Sequence, residues 1–136
     1  MGVLIDATVL IDFERAGRSA SPWIESHREE AVFLSVITAS ELLHGVHRTR
    51  RSAMQSRRAA FVEASIGSLP LLPVDLPIAR VHARLWADLS AQGSFIGPHD
   101  TWLAATCLAH DLTMLTANAR EFNRVKGLEV EIWSMD

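Results

Sequence analysis

Short apolar runs alternate along this chain with longer stretches in which hydrophobic residues recur at helical spacing. Residues 3–5, 31–35, 113–116 and 130–133 form runs of strand length, and Pro73 interrupts a weaker run at 71–74. A proline cannot donate a hydrogen bond to a neighbouring strand, so we expect the weaker strand at an edge of the sheet. The pattern therefore predicts four to five strands.

Helical spacing fills the intervals between these strands. A helix that opens at Pro77 and ends at Gly93 carries an apolar stripe of Ile78, Val81, Leu85 and Leu89. Pro98 suits the first turn of another helix, which should continue to about residue 110. Further helices are predicted from residue 6 to about 17, over 23–30, from Thr38 onward, and over 52–66 with Gly67 as C-terminal cap.

Strands separated by helices imply crossover connections, which produce a mostly parallel sheet covered on both faces. The sequence therefore predicts an α/β fold with three layers, α/β/α, around a sheet of four to five strands. A chain of 136 residues has the size of one domain. Because no linker, repeat or low-complexity tract interrupts it, we expect a single domain over residues 1–136.

The bulk composition excludes several classes of protein. With 49% hydrophobic and 21% charged residues, wholesale disorder is not expected. A single cysteine, Cys107, excludes an internal disulfide framework and a cysteine-built zinc site. No apolar run could span a bilayer, and the N-terminus lacks a positively charged leader, so a cytoplasmic protein without a membrane partner is expected. The net charge of −3 does not by itself suggest a nucleic-acid partner.

Acidic and amide side chains follow the predicted strands, at the positions where ligands bind in open α/β sheets. Asp6 ends the first strand, Glu41 lies in the helix after the second, and Asp100 follows Pro98. Asn118 and Glu121 follow the strand at 113–116. Oxygen donors on one rim are the ligands preferred by Mg²⁺ and Mn²⁺. The sequence therefore predicts a divalent-metal site on this rim.

Each acid also has a purely structural interpretation. Asp6 could cap the following helix, and Thr38 with Glu41 fits the spacing of a capping box. Asp100 could complement a helix dipole. The occurrence of such groups at successive strand ends favours a shared pocket over four independent structural roles.

Positive charge is gathered into one segment of the chain. No acid lies between Glu41 and Glu63, and this interval contains Arg48, Arg50, Arg51, Arg57 and Arg58. The segment is either a solvated helical face or a stripe that contacts phosphates, which arginine pairs with bidentately. The mildly acidic total therefore conceals a segregated pattern that is compatible with a nucleic-acid partner.

Four segments of the chain resemble the PIN domains, and specifically the VapC toxin ribonucleases of type II toxin–antitoxin systems. They are LIDATVLID at 4–12, SVITASELLHG at 35–45, IGPHDTWLAA at 96–105, and LTMLTANAREF at 112–122 followed by 125–133. Each segment is weakly diagnostic alone, but their order and spacing are specific, and together they span nearly the whole chain. The resemblance implies a PIN-like three-layer domain.

The resemblance also implies a divalent-metal-dependent endoribonuclease, with Mg²⁺ as cofactor and Mn²⁺ as an alternative. Its metal-binding acids would be Asp6, Glu41 and Asp100. The fourth acidic position is open, because Asn118 could ligate a metal through its amide oxygen while Glu121 could supply the missing charge; we expect both to contribute.

The resemblance further implies partners and supporting residues. The chain is expected to act on RNA, to form a homodimer, and to be neutralised by a VapB-type antitoxin, with a larger toxin–antitoxin assembly also open. Thr8 and Thr116 would position a carboxylate, a water or the substrate through their hydroxyls. Arg48, Arg50 and Arg51 would hold the RNA strand or meet an acidic part of the antitoxin.

Three alternatives compete with the nuclease hypothesis. A receiver-type phosphoacceptor domain would carry an acidic pair after the first strand and a lysine near the last, but here Ala7 follows Asp6 and the one lysine is Lys126. A dehalogenase-type phosphatase would need Asp-x-Asp where this chain has Asp6-Ala-Thr8. A noncatalytic module that keeps the PIN fold and binds RNA or a protein partner remains open.

Overall fold

A five-stranded sheet, in which every paired strand runs parallel to its neighbour, lies at the centre of the fold. The computed structural model describes residues 2–27 and 29–135. The strands are β1 (Gly2–Ile5), β2 (Val32–Ser35), β3 (Leu71–Leu72), β4 (Leu112–Thr116) and β5 (Val130–Ile132), in the order β3-β2-β1-β4-β5. The prediction of four to five strands is confirmed, and the short strand next to Pro73 lies at an edge.

Six α-helices and one 3₁₀ turn connect the strands in the described part of the chain. The helices are α1 (Ala7–Arg15), α2 (Ser21–Ser26), α3 (Val36–Arg48), α4 (Ser52–Gly67), α5 (Leu76–Gln92) and α6 (Pro98–His110). The 3₁₀ turn covers Phe122–Arg124. The predicted end of α5 is confirmed, because Gly93 adopts a left-handed backbone with φ of 66°. The predicted span of α6 is confirmed as well.

The predicted start of α3 is wrong by two residues. The helix begins at Val36 because the Ser35 side chain caps it, accepting a hydrogen bond from the Ile37 N–H at 3.0 Å. Thr38 is therefore inside the helix, and its hydroxyl does not form a capping box with Glu41. Glu41 consequently lies in the second turn of α3.

Two other helix ends also differ from the prediction. Helix α2 ends at Ser26, where the Ser26 hydroxyl donates to the Trp23 carbonyl at 2.7 Å and competes with continued helical pairing. The predicted helix over 23–30 is therefore too long at its C-terminal end, and Arg28 is outside the described residues. Gly67 belongs to the last turn of α4, and Ser68 takes the capping position.

Two apolar cores lie on opposite faces of the sheet. Successive residues of a strand face opposite sides, so Val3 and Ile5 join the core beneath α1, α3 and α4, while Leu4 joins the core beneath α5 and α6. Burial on both faces explains why β1 is an uninterrupted apolar run. Among the described residues, no helix is both long and apolar enough to cross a membrane.

Replacing Leu4 by alanine is expected to reduce the free energy of unfolding by about 2–5 kcal/mol, because Leu4 is fully buried in the central strand. Urea denaturation measures the change. The matched control is Leu76→Ala on α5, where the side chain is 61% exposed and the expected change is within about 0.5 kcal/mol. Equal losses in the two variants would contradict this description of the core.

Candidate active site

The Asp6 carboxylate is fixed at the carboxyl end of β1 by hydrogen bonds to both of its oxygens. Its side chain is buried, and Oδ1 accepts from the Ala7 N–H at 2.9 Å, which caps α1. Oδ2 accepts from the hydroxyls of Thr116 at 2.7 Å and Thr8 at 2.9 Å. The structural role of Asp6 as a helix cap thus accounts for Oδ1. Its Oδ2 is held separately, by the hydroxyls of Thr8 and Thr116.

The two threonine hydroxyls also join the exit of β1 to the exit of β4. The Thr8 hydroxyl accepts from the Ala117 N–H at 3.0 Å, and the Thr116 hydroxyl accepts from the Asn118 N–H at 3.0 Å. In this geometry both threonines contact the Asp6 carboxylate and the backbone of the loop after β4. We expected these hydroxyls to position a carboxylate, a water or the substrate. The structure shows their hydrogen bonds to a carboxylate.

Asp100 lies in the first turn of α6 and is hydrogen-bonded to Glu121. Burial raises the pKa of Asp100 to about 8, with further contributions from its hydrogen bond to Glu121 and from the charges of Asp6, Glu121 and Glu41. The pKa of Glu121 is lowered by that hydrogen bond and by a second one from the Gly97 N–H at 2.8 Å. The hydrogen bond between the two carboxyl groups therefore favours the proton on Asp100 rather than on Glu121.

Glu41 reaches the same cluster from α3. Burial raises its pKa, the charge of Asp6 raises it further, and His99 opposes the increase. The His99 Nδ1 lies 3.8 Å from the Glu41 Oε1. The sequence does not reveal this proximity, because it depends on the packing of α3 against α6. Asp6, Glu41 and Asp100 therefore come together as the strand-exit rule predicts.

The two candidates for the fourth position are placed differently. The Glu121 carboxylate faces Asp100 and Gly97, whereas the side chain of Asn118 is exposed and its backbone N–H contacts Thr116. Glu121 precedes the 3₁₀ turn, which has no apolar periodicity that a sequence pattern could reveal. Glu121 was among the candidates from the sequence, whereas the Gly97 N–H was not, because backbone donors leave no residue-type signal.

The side-chain atoms of this cluster are of the chemical type that binds a hard divalent cation. Carboxylate oxygens from Asp6, Glu41, Asp100 and Glu121 are the ligand type that Mg²⁺ and Mn²⁺ prefer. Across residues 2–27 and 29–135, however, no three His, Cys, Asp or Glu side chains form a set that could hold a metal ion as they stand. The acids are thus close enough to oppose one another's ionisation, but they are not arranged as ligands.

The arginine-rich segment divides into one structural residue and several exposed ones. Arg58 pairs with Glu14 at 3.1 Å and donates to the Thr49 hydroxyl at 2.9 Å, which ties α4 to α1 and to the end of α3. Arg48 lines a cavity of about 180 Å³ that also reaches Glu41. Arg50 and Arg51 are exposed in the connection between α3 and α4.

Comparison with known proteins identifies the family. The family model of the PIN domain matches residues 3–128. Ribonuclease VapC1 of Rickettsia felis is 36% identical over 130 residues, which cover 96% of this chain and 95% of that protein. The tRNA(fMet)-specific endonuclease VapC of Shigella flexneri is 34% identical over 101 residues, or 74% of each chain.

A solved structure agrees with these relatives. A chain in the crystal structure of DNA-bound VapBC from Salmonella typhimurium matches this fold with a TM-score of 0.87 at 25% identity. The match covers 98% of this chain and 99% of that one. The resemblance in the four sequence segments is thereby confirmed. This chain belongs to the PIN domain family and, within it, to the VapC ribonucleases.

Proposed function

We propose that this VapC-family nuclease is the toxin of a type II toxin–antitoxin pair and hydrolyses RNA phosphodiester bonds as a single domain over residues 1–136. Its catalytic acids are Asp6, Glu41, Asp100 and Glu121. The observation that carries the proposal is the convergence of these carboxylates, in which Thr8 and Thr116 fix Asp6 and the Gly97 N–H holds Glu121 beside Asp100. Such crowding is typical of sites that receive a compensating cation.

Asp6, Glu41, Asp100 and Glu121 would hold Mg²⁺, with Mn²⁺ as an alternative. When bound, the cation would acidify an attacking water and offset negative charge that develops on the phosphate. Asp6 is already oriented, since Ala7, Thr8 and Thr116 fix both of its oxygens. In this proposal, Thr8 and Thr116 act by orienting Asp6, and they do not contact the RNA themselves.

Asp100 and Glu121 together act as a store for one proton. The hydrogen bond between these two side chains raises the pKa of Asp100 and lowers that of Glu121, so the pair favours holding one proton. Loss of that proton converts Asp100 into a ligand with full negative charge. We assign the fourth acidic position to Glu121, and we place Asn118 at the exposed rim, where its amide can contact a bound strand.

We further propose a VapB-type antitoxin as partner and a homodimer as the working form, with a larger assembly of the two chains. The support for the antitoxin is that the solved structure from Salmonella typhimurium is a VapBC complex. Arg58 is engaged in an ion pair with Glu14, whereas three other arginines of the segment are exposed: Arg48, Arg50 and Arg51. We assign these three to RNA phosphates or to acidic groups of the antitoxin.

Asp6→Asn and Asp100→Asn are each expected to lower RNA cleavage by on the order of 100-fold or more, because each removes a carboxylate that would hold the cation. The assay follows cleavage of total RNA by the purified chain, freed of its partner, with Mg²⁺ or Mn²⁺; a chelator should stop the reaction. Glu63→Gln, an exposed acid on α4, is the matched control. Unchanged cleavage in both site variants would show the assignment to be wrong, and absence of cleavage at every metal concentration would favour a noncatalytic module.

The metal-free chain is expected to hold a proton on Asp100 well above the ordinary range. Because the folded-state pKa is about 8 against a reference of 3.8, the stability contributed by this group should decline as pH rises between those values. Glu121→Gln removes a neighbouring charge and should lower the pKa of Asp100. Carboxyl-carbon NMR titration measures both values, with the exposed Glu63→Gln as control. A normal titration of Asp100 in the wild-type chain would refute the shared proton.

A further inference from the structure

A cationic cleft lies between α5 and the segment 124–126. It encloses a cavity of about 230 Å³, and its walls carry the positive side chains of Arg84, Arg124 and Lys126. Asp88 is the one carboxylate among the described residues that line it. A local excess of positive charge, in a chain whose net charge is −3, indicates a site for an anion.

The positive charges of the cleft are available to a ligand. Arg84 and Lys126 are exposed, and no ion pair between described residues includes either of them. Arg124 is exposed as well, and its Nη1 donates to the Phe95 carbonyl at 2.7 Å, which fixes the guanidinium without neutralising it. The other lining residues are mostly apolar, and low-dielectric walls focus the field of such cations on an incoming anion.

The cleft adjoins the acidic cluster through the segment that contains the 3₁₀ turn. In this segment Glu121 accepts from the Gly97 N–H at 2.8 Å, and Arg124 holds the carbonyl of Phe95 in the same loop. Hydrogen bonds from Asp100 and Gly97 are the main causes that lower the pKa of Glu121, and the charge of Arg124 lowers it further. An anion held in the cleft therefore lies next to the acids.

The cleft and the cavity beside Arg48 lie on opposite faces of the sheet. The cavity is lined by residues of α1, α3 and α4, which cover one core, and it reaches Glu41. The cleft is lined by residues of α5 and α6, which cover the other core, and it adjoins Glu121. The acids at the carboxyl edge of the sheet thus have cations on both sides. A nucleic-acid strand that crosses this edge would meet phosphate-binding cations before and after the acids.

We propose that the cationic cleft binds backbone phosphates of the RNA substrate on one side of the cleaved bond, with Arg84 and Lys126 as direct contacts and Arg124 as the link to the acidic cluster. The proposal rests on the RNA-cleaving function proposed above. Arginine and lysine pair with phosphate oxygens, and such contacts fix the position of a strand without reading its bases. The cleft thus contributes affinity that falls with salt and is the same for every base sequence.

The exposed aromatic surface of α5 lies on the other flank of the helix. Trp86 is 61% exposed and lines an apolar groove together with Trp102 of α6. Arg84 and Trp86 are two positions apart on the helix, so their side chains project about 200° apart around its axis. A second copy of the chain that packs on the apolar groove therefore leaves the cationic cleft open to RNA.

The test measures binding of a single-stranded RNA of random sequence, about 12 nucleotides long, over a series of salt concentrations at constant Mg²⁺. The full chain carries Asp100→Asn, which is expected to prevent cleavage. The readout is the slope of the logarithm of the binding constant against the logarithm of salt concentration. Arg84→Gln and Lys126→Gln should each reduce the steepness of this slope by about 0.7, the value for one phosphate contact with a single strand, and weaken binding several-fold.

Two further variants keep the test specific. Arg80→Gln removes the same charge one turn earlier on α5, where the side chain is exposed and does not line the cleft. It should leave the slope unchanged, whereas a loss caused by net charge alone would be equal at Arg80 and Arg84. Arg84→Lys keeps the charge and should preserve most of the slope. Thermal unfolding checks that each exposed substitution leaves the fold intact.

A slope that falls in Arg84→Gln and Lys126→Gln but not in Arg80→Gln supports the proposal. An equal change in all three variants, or no change in any of them, overturns it. A polyglutamate peptide with a similar number of charges is the second probe. If the cleft variants weaken binding of this peptide and leave RNA binding unchanged, the proposal is also overturned, and the cleft belongs to an acidic segment of a protein partner.

The nuclease assignment and the RNA-binding cleft fail separately. If the wild-type chain cuts no RNA but the slope falls in the cleft variants, the nuclease assignment fails and the cleft stands. If the wild-type chain cuts RNA and the slope does not change, the cleft fails and the nuclease assignment stands.

Discussion

The buried negative charge of Asp6 is the constraint to which the rest of the site adapts. A carboxylate in this position would be costly if it were unpaired, but the Ala7 N–H and the hydroxyls of Thr8 and Thr116 satisfy both of its oxygens. Those hydroxyls also accept from the backbone after β4, so the charge is tied to two neighbouring strands at once. Because the Asp6 carboxylate is fixed in place, it opposes the ionisation of Asp100 and Glu41, whose pKa values it raises.

The response to that constraint is visible in the other carboxylates. Burial and a hydrogen bond to Glu121 raise the pKa of Asp100 to about 8, that bond lowers the pKa of Glu121, and burial and Asp6 raise the pKa of Glu41. On the side of α3, a cavity lined by Arg48 reaches Glu41, so a cationic side chain lies near the acidic cluster.

Much of this arrangement is predictable from the sequence because local signals fix it. Pro98 and Gly93 mark helix boundaries through their own backbone restrictions, and the alternation of strands with helices forces the acids at 6, 41 and 100 onto one edge. The prediction that α3 starts at Thr38 is wrong, because Ser35 is both the last residue of β2 and the N-terminal cap of the helix. The pairing of Arg58 with Glu14 joins residues 44 positions apart, and the approach of Glu121 to Gly97 joins residues 24 apart. Such contacts follow from tertiary packing, which no local pattern contains.

We expect a divalent cation that binds at the acidic cluster to displace the proton from Asp100, whose pKa is raised to about 8. Calorimetric titration of the metal-free chain with Mn²⁺ or Mg²⁺ near pH 7, repeated in buffers with different ionisation enthalpies, measures the protons released on binding. The account predicts release of about one proton per cation in the wild-type chain. It also predicts that Asp100→Asn abolishes this release. Binding of the cation with no proton release, or no binding at all, would contradict it.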